Sequence, residues 1–123
     1  MMQTLVGIVR TEPEMRRALQ GLHRLKEQAR HVAVTGNREY NPGWHTGLDL
    51  DNLLTVSEAV TRAALDRKES RGGHFREDYP DKDPVGGSFN IVVRKGEDAQ
   101  MRLSREPVPE IPPELKRIVQ EQK

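Results

Sequence analysis

The chain has 123 residues, enough for one domain and too few to hold both a dinucleotide-binding domain and a substrate domain. Hydrophobic residues make up only 34%, so the core is lean, and 20 basic against 19 acidic residues leave a net charge of +1, which excludes recruitment to nucleic acid or an anionic membrane by bulk charge. Zero cysteines exclude a disulfide framework, a thiolate-held metal and a thiol nucleophile, and no apolar run approaches the roughly 20 residues that span a bilayer, so a soluble, cytoplasmic chain is expected.

Leu5, Ile8 and Val9 stand at helical spacing as far as Arg10, which predicts the last turns of a helix that begins upstream of Met1. Thr11 with Glu14 three residues later has capping-box spacing, and Pro13 costs no hydrogen bond in a first turn. From there Met15, Ala18, Leu19, Leu22, Leu25, Ala29, Val32 and Ala33 recur at three- and four-residue steps, predicting an amphipathic helix of about 22 residues that closes near Gly36. Asn41 and Pro42 read as an N-cap and first helical position. The second long helix then runs to about Lys68 along the stripe Leu50, Leu53, Leu54, Val56, Val60, Ala63, Ala64 and Leu65. A short connection makes the two helices antiparallel, with the N-terminal fragment as the third member of a bundle.

From Arg71 to Gly87 glycines, prolines and acidic residues follow without a period, so this stretch reads as a loop. Phe89, Ile91 and Val93, then Met101 and Leu103, alternate with polar neighbours across Lys95-Gly96-Glu97-Asp98 and predict a β-hairpin, which is marginal alone in water and needs the bundle or an outside surface beneath it. Pro107, Pro109, Pro112 and Pro113 make an extended spacer ahead of a short helix to about Glu121. The expected fold is mainly α: a spectrin-repeat-like three-helix bundle over residues 1–70, then a docking loop, hairpin and C-terminal tail of the same domain over 71–123.

His23 and His31 lie eight residues apart on one helix without partners at the next turn, so no metal site is expected, and no phosphate-binding glycine loop, HExxH or GxSxG motif occurs. The densest polar cluster runs from Glu69 to Pro80. Arg71, His74 and Arg76 there could together hold a carboxylate, because forked guanidinium and imidazolium groups donate to anions. The plainer reading pairs these charges with one another and with helix ends, while Gly72 and Gly73 let the backbone pass close to a second surface. Trp44, beside Tyr40 and His45, is expected to pack over the end of the bundle rather than to stack on a base or cofactor.

The segment Gly36-Asn37-Arg38-Glu39-Tyr40-Asn41-Pro42-Gly43-Trp44-His45, with Leu48-Asp49-Leu50, Asn52-Leu53-Leu54, Glu69-Ser70-Arg71-Gly72-Gly73-His74 and Arg76-Glu77-Asp78-Tyr79-Pro80, resembles the C-terminal domain of the succinate dehydrogenase/fumarate reductase flavoprotein subunit. L-aspartate oxidase shares the Ser-Arg-Gly-x-His region, but the Asn-Pro-Gly-Trp and Leu-Asp-Leu segments point to the dehydrogenase/reductase branch.

The resemblance implies a structural domain of a longer FAD enzyme that interconverts succinate and fumarate, with FAD and dicarboxylate held elsewhere and no catalytic, cofactor or metal residue in this chain. It implies docking onto the flavin-binding domain through Ser70, Arg71, Gly72, Gly73, His74, Arg76 and Asp78, with Trp44 added to that set. The arginines would pair with carboxylates or carbonyls of that domain. An iron–sulfur subunit is the implied further partner, at the cytoplasmic face of a membrane the chain itself does not touch. A homodimer of the isolated domain, a free-standing helical adaptor and a small anion-binding enzyme site are the other readings.

Overall fold

The computed structural model describes residues 1–121; Gln122 and Lys123, the last two of the 71–123 segment, lie outside the described residues. Two long helices organise it. Helix α2 (Glu12–Ala29) follows extended Thr11, with Pro13 in its first turn. The expected capping box does not form: the Thr11 hydroxyl donates to the Glu14 carboxylate at 2.8 Å and caps no backbone N–H. The helix stops at Ala29, well before Gly36. There His31 and Val32 donate to Gln28 and Ala29 in tightened turns, and β-branched Val32, Val34 and Thr35 disfavour further helix. Helix α3 (Pro42–Asp66) starts where the sequence places it: the Asn41 side chain accepts from the Gly43 N–H at 3.0 Å and Pro42 opens the first turn.

Met15, Ala18 and Leu22 of α2 pack on Leu54, Thr61 and Ala64 of α3, and Val6 closes one side; these form the whole tightly buried apolar layer among the described residues, with Thr61 as its polar member. Burial of each large side chain contributes about 1.5–3 kcal/mol. Glu58 is buried in the same stripe, one turn from Leu54, where it accepts from Lys26 of α2 and from Arg62 at 2.6 Å. Leu53, Val56 and Val60, expected in the core, lie on the far flank of α3 and are exposed, because among the described residues no element covers that flank.

The N-terminal member of the bundle is a single turn, α1 (Met2–Leu5), laid across Gly21 of α2, whose hydrogen gives the room that a Cβ would take from the Met1 sulfur. The helix expected up to Arg10 ends instead at Val6. Gly7 follows, and Val9–Arg10 form β1, pairing in parallel with β2 (Phe75–Arg76). The Phe75 and Glu77 amides donate to the Ile8 and Arg10 carbonyls at 3.0 and 3.1 Å. Partners in a parallel pair share a face. Val9 and Phe75 are both exposed, whereas Arg76 is fully buried.

Strands β3 (Phe89–Lys95) and β4 (Met101–Pro107) form the expected antiparallel hairpin, closed by a turn in which Gly96 donates to the Gln100 carbonyl at 2.8 Å. The hairpin rests on the end of α3. Arg105 pairs with Asp66 at 3.2 Å, and Arg67 and Arg105 flank the Phe89 ring at 5.4 and 4.9 Å. The last element, α4 (Pro113–Glu121), leaves Leu115, Ile118 and Val119 half exposed. No helix among the described residues is long and apolar enough to cross a membrane.

Candidate docking site

The cluster from Glu69 to Pro80 folds as a knot over adjoining helix ends: the C-terminus of α3 and the N-terminus of α2. Arg76 is its centre. The side chain is 0% exposed, and Nε and Nη2 donate to the two Asp78 oxygens, each at 2.7 Å. Nη1 reaches the Ala64, Leu65 and Arg67 carbonyls at 3.2, 3.3 and 3.0 Å. A cation is thereby set on the negative end of α3, where the last carbonyls have no helical partner. Asp78 Oδ2 also accepts from the Glu12 amide at 3.1 Å, placing an anion on the positive end of α2. One bidentate pair thus clasps the two helices, and the Tyr79 ring covers the guanidinium at 4.9 Å. The Arg76 hydrogen bonds, with the Glu12 amide behind them, overcome burial and hold the Asp78 carboxyl at about 2.

A second pair supports the loop. Glu69, 1% exposed, accepts from Arg71 Nε and Nη2, from Arg67 at 2.5 Å and from the Asp83 amide at 2.9 Å. Arg71, backed by that amide and Arg67, outweighs burial and holds the Glu69 carboxyl down to about 2. Gly86 and Gly87 seat this carboxylate and guanidinium: a Cβ on Gly86 would stand 2.6 Å from Glu69 Oε1, and one on Gly87 would stand 2.5 Å from Arg71 Nη2. Ser70 ties the strands together, accepting from the Arg76 amide at 2.9 Å and donating to the Tyr79 carbonyl at 2.8 Å.

Above this base stands a turn. Arg71 and His74 exchange backbone hydrogen bonds of 2.8 and 3.1 Å across Gly72 and Gly73. Gly72 has φ +58°, and neither glycine has any atom within 4 Å of where a Cβ would lie. The His74 ring lies under the turn. Its Nδ1 accepts from Arg10 Nη1 at 2.6 Å, and its Nε2 faces the Arg67 carbonyl at 3.3 Å. Burial lowers its pKa, outweighing the hydrogen bond to the Arg67 carbonyl that raises it, and the neighbouring guanidinium groups of Arg10, Arg76 and Arg67 lower it further.

The structure therefore brings Ser70, Arg71, Gly72, Gly73, His74, Arg76 and Asp78 together and leaves Trp44 apart. Trp44 stands near the start of α3, roughly 33 Å along the helix from Asp66 at ~1.5 Å per residue. There it lies under Arg38 at 5.3 Å and lines a cavity of about 220 Å³ with Val32, Val34 and Leu48. The larger cleft, about 680 Å³, is a wedge between the hairpin tip and the helices, walled by Lys26, Glu58, Val93 and Met101 and remote from the glycine turn. No group of three metal-ligating side chains occurs among the described residues. Arg10 and Arg67 are members of the knot that lie outside the motif, and Glu69 opens the motif without belonging to the expected docking set. Arg10 carried no sequence signal, because its partner His74 lies 64 residues away.

On this helical bundle a buried polar network braces a bare glycine turn. The sequence profile described as fumarate reductase flavoprotein C-term matches residues 1–117, and the chain belongs to that family. L-aspartate oxidase of Streptomyces coelicolor is 34% identical over 107 residues, covering 87% of this chain and 18% of its own length. The succinate dehydrogenase flavoprotein subunit of Coxiella burnetii is 33% identical over 103 residues, covering 82% and 18%. Mycobacterium smegmatis Sdh1, solved in complex with UQ1, aligns with a TM-score of 0.86 at 38% identity, over 98% of this chain and 21% of that one. The chain thus spans about a fifth of the length of these relatives.

Proposed function

We propose that this chain is the structural and docking domain of an FAD-dependent flavoprotein subunit that interconverts succinate and fumarate. FAD and the dicarboxylate sit in the flavin-binding part, and none of the catalytic, cofactor-binding or metal-binding groups is supplied here. The observation that supports this most strongly is the Gly72–Gly73 turn, held up by a saturated network and open on its outer side. Ser70, Arg71, Gly72, Gly73 and His74 present that turn to the flavin-binding domain. Arg76 and Asp78 act from behind: with every nitrogen of Arg76 bonded inside the fold and its side chain buried, this arginine does not reach out to a partner carboxylate, and Arg71 offers only its exposed edge. The assembled parent pairs with an iron–sulfur subunit at the cytoplasmic face of a membrane.

Gly73→Trp separates docking from folding. An indole at Gly73 meets open solvent in this chain, so its melting temperature stays unchanged. When the chain replaces the matching segment of the Coxiella burnetii subunit, the unsubstituted chimera retains FAD and reduces dye with succinate, and the tryptophan form loses flavin. Equal flavin content in both chimeras refutes docking by this turn. The Streptomyces relative favours a second reading, in which the parent oxidises L-aspartate; a full-length enzyme that reduces dye with L-aspartate and not succinate selects it.

A further inference from the structure

His74 is the imidazole of the knot, and its two nitrogens meet different chemistry. Arginine only donates, so Nδ1, 2.6 Å from Arg10 Nη1, must carry a lone pair. The proton then resides on Nε2, pointing at the Arg67 carbonyl, which Arg76 also reaches at 3.0 Å. The hydrogen bond into Nδ1 is the side-chain tie between β1 and the glycine turn. The backbone ties are the Phe75 and Glu77 amides on Ile8 and Arg10.

The charged groups around the ring are fixed in sign. Arg10 faces it from β1, Arg67 from the end of α3 and Arg76 from β2. The acids that answer them are already engaged: Asp78 with Arg76 and the start of α2, Glu69 with Arg67 and Arg71, and Glu12 with Arg16. No carboxylate is recorded against the ring itself. A proton added to Nδ1 would point at the Arg10 guanidinium, replacing a hydrogen bond by two opposed donors and adding a positive charge to a cluster rich in them.

We propose that His74 is an acid-released latch: neutral, it fastens the N-terminal strand Val9–Arg10 to the glycine turn, and protonated on Nδ1 it repels Arg10 and lets that strand detach. The latch rests on the hydrogen bonds of this chain alone, and holds whether or not the turn docks on a flavin domain. Acid then loosens residues 6–10 first, because the few backbone hydrogen bonds of a two-residue ladder are what remains to hold β1 once Arg10 turns away.

The test follows amide exchange in the whole chain by NMR between pH 7.5 and 5, above the range in which Glu69 and Asp78 titrate. Protection of the Phe75 and Glu77 amides, corrected for intrinsic rates, falls by up to about tenfold per pH unit as the ring takes up its proton. Its midpoint matches that of the His74 ring shifts, while amides in the middle of α2 and α3 stay protected. His74→Gln offers a carbonyl to Arg10 and an N–H to Arg67 with no titration, and keeps β1 protected across the range. Protection that stays flat in the native chain while His74 titrates overturns the latch, and so does an equal acid loss in His74→Gln. If that variant does not fold, the native chain still decides, through coincidence or separation of the two midpoints.

Discussion

Replacing Arg76 by methionine tests whether one side chain clasps the two helix ends. Methionine keeps the apolar stem and removes every donor. Asp78 loses two bonds of 2.7 Å but retains the Glu12 amide, and its side chain is 30% exposed, so water takes up much of its charge. The heavier cost falls on α3. The Ala64 and Leu65 carbonyls lose their side-chain donor in a buried place, at about 1–3 kcal/mol for each polar group left unpaired, while the Arg67 carbonyl keeps His74. Breaking a fully buried pair costs about 3–5 kcal/mol, and solvent access to Asp78 lowers the figure to about 3 kcal/mol. For a chain of this length that is a fall in Tm of about 12 °C. Urea melts followed by far-UV circular dichroism measure it, with Arg16→Met as the control. Arg16 makes an exposed i, i+4 pair with Glu12, so its loss is within about 0.5 kcal/mol. A loss below about 1 kcal/mol for Arg76→Met, or equality with the control, would falsify the clasp.

Glu69 and Asp78 both titrate near 2 in the fold against 4.5 and 3.8 as free groups, so the unfolded chain binds more protons in acid: their stabilisation is full above about pH 5 and drains as pH falls toward 2. The stability lost between pH 5 and pH 2.5, read from urea melts, belongs to both groups and is about 3–4 kcal/mol, and a flat profile contradicts their placement. Gly86→Ala drives a Cβ to 2.6 Å from the Glu69 carboxylate and costs about 1–3 kcal/mol in the same melts, with Glu69 exposed to titration at a higher pH. Glu58→Gln removes the shared anion between Lys26 and Arg62, both about one-third exposed, and lowers stability by about 1–2 kcal/mol; no change would show that the two cations are satisfied by water.

Long-period signals were legible in the sequence because they repeat. The Asn41–Pro42 start, the direction of the two long helices and the hairpin with its turn all follow from caps and spacing that act within a few residues. Val9–Arg10 was not legible as strand: two residues carry no period, and the partner that makes them extended is Phe75–Arg76, far along the chain. The stripe on α3 misled for a different reason. Leu53, Val56 and Val60 obey helical spacing, yet nothing among the described residues covers their flank, while charged Glu58 enters the core with its two cations.

Within the motif, Arg71 and Arg76 are indistinguishable as letters. Alternation along the chain turns Arg76 inward beneath the end of α3, and Arg71 lies flat along Glu69 at the surface. The segment is legible in sequence as a polar cluster, and its division into buried braces and an exposed tip is readable only from three-dimensional placement. The length of α3 places Trp44 at the other end of the domain from the glycine turn, which the sequence alone does not show.

Flavin content is the direct gauge of whether redox chemistry resides in these residues. The purified chain, dialysed against FAD and freed of excess, is scanned for the flavin absorbance band and assayed for dye reduction with succinate and with L-aspartate. A colourless, inactive and folded chain is the predicted result. A stoichiometric yellow complex, or turnover with either acid, contradicts the account of a domain that braces and docks while catalysis happens elsewhere.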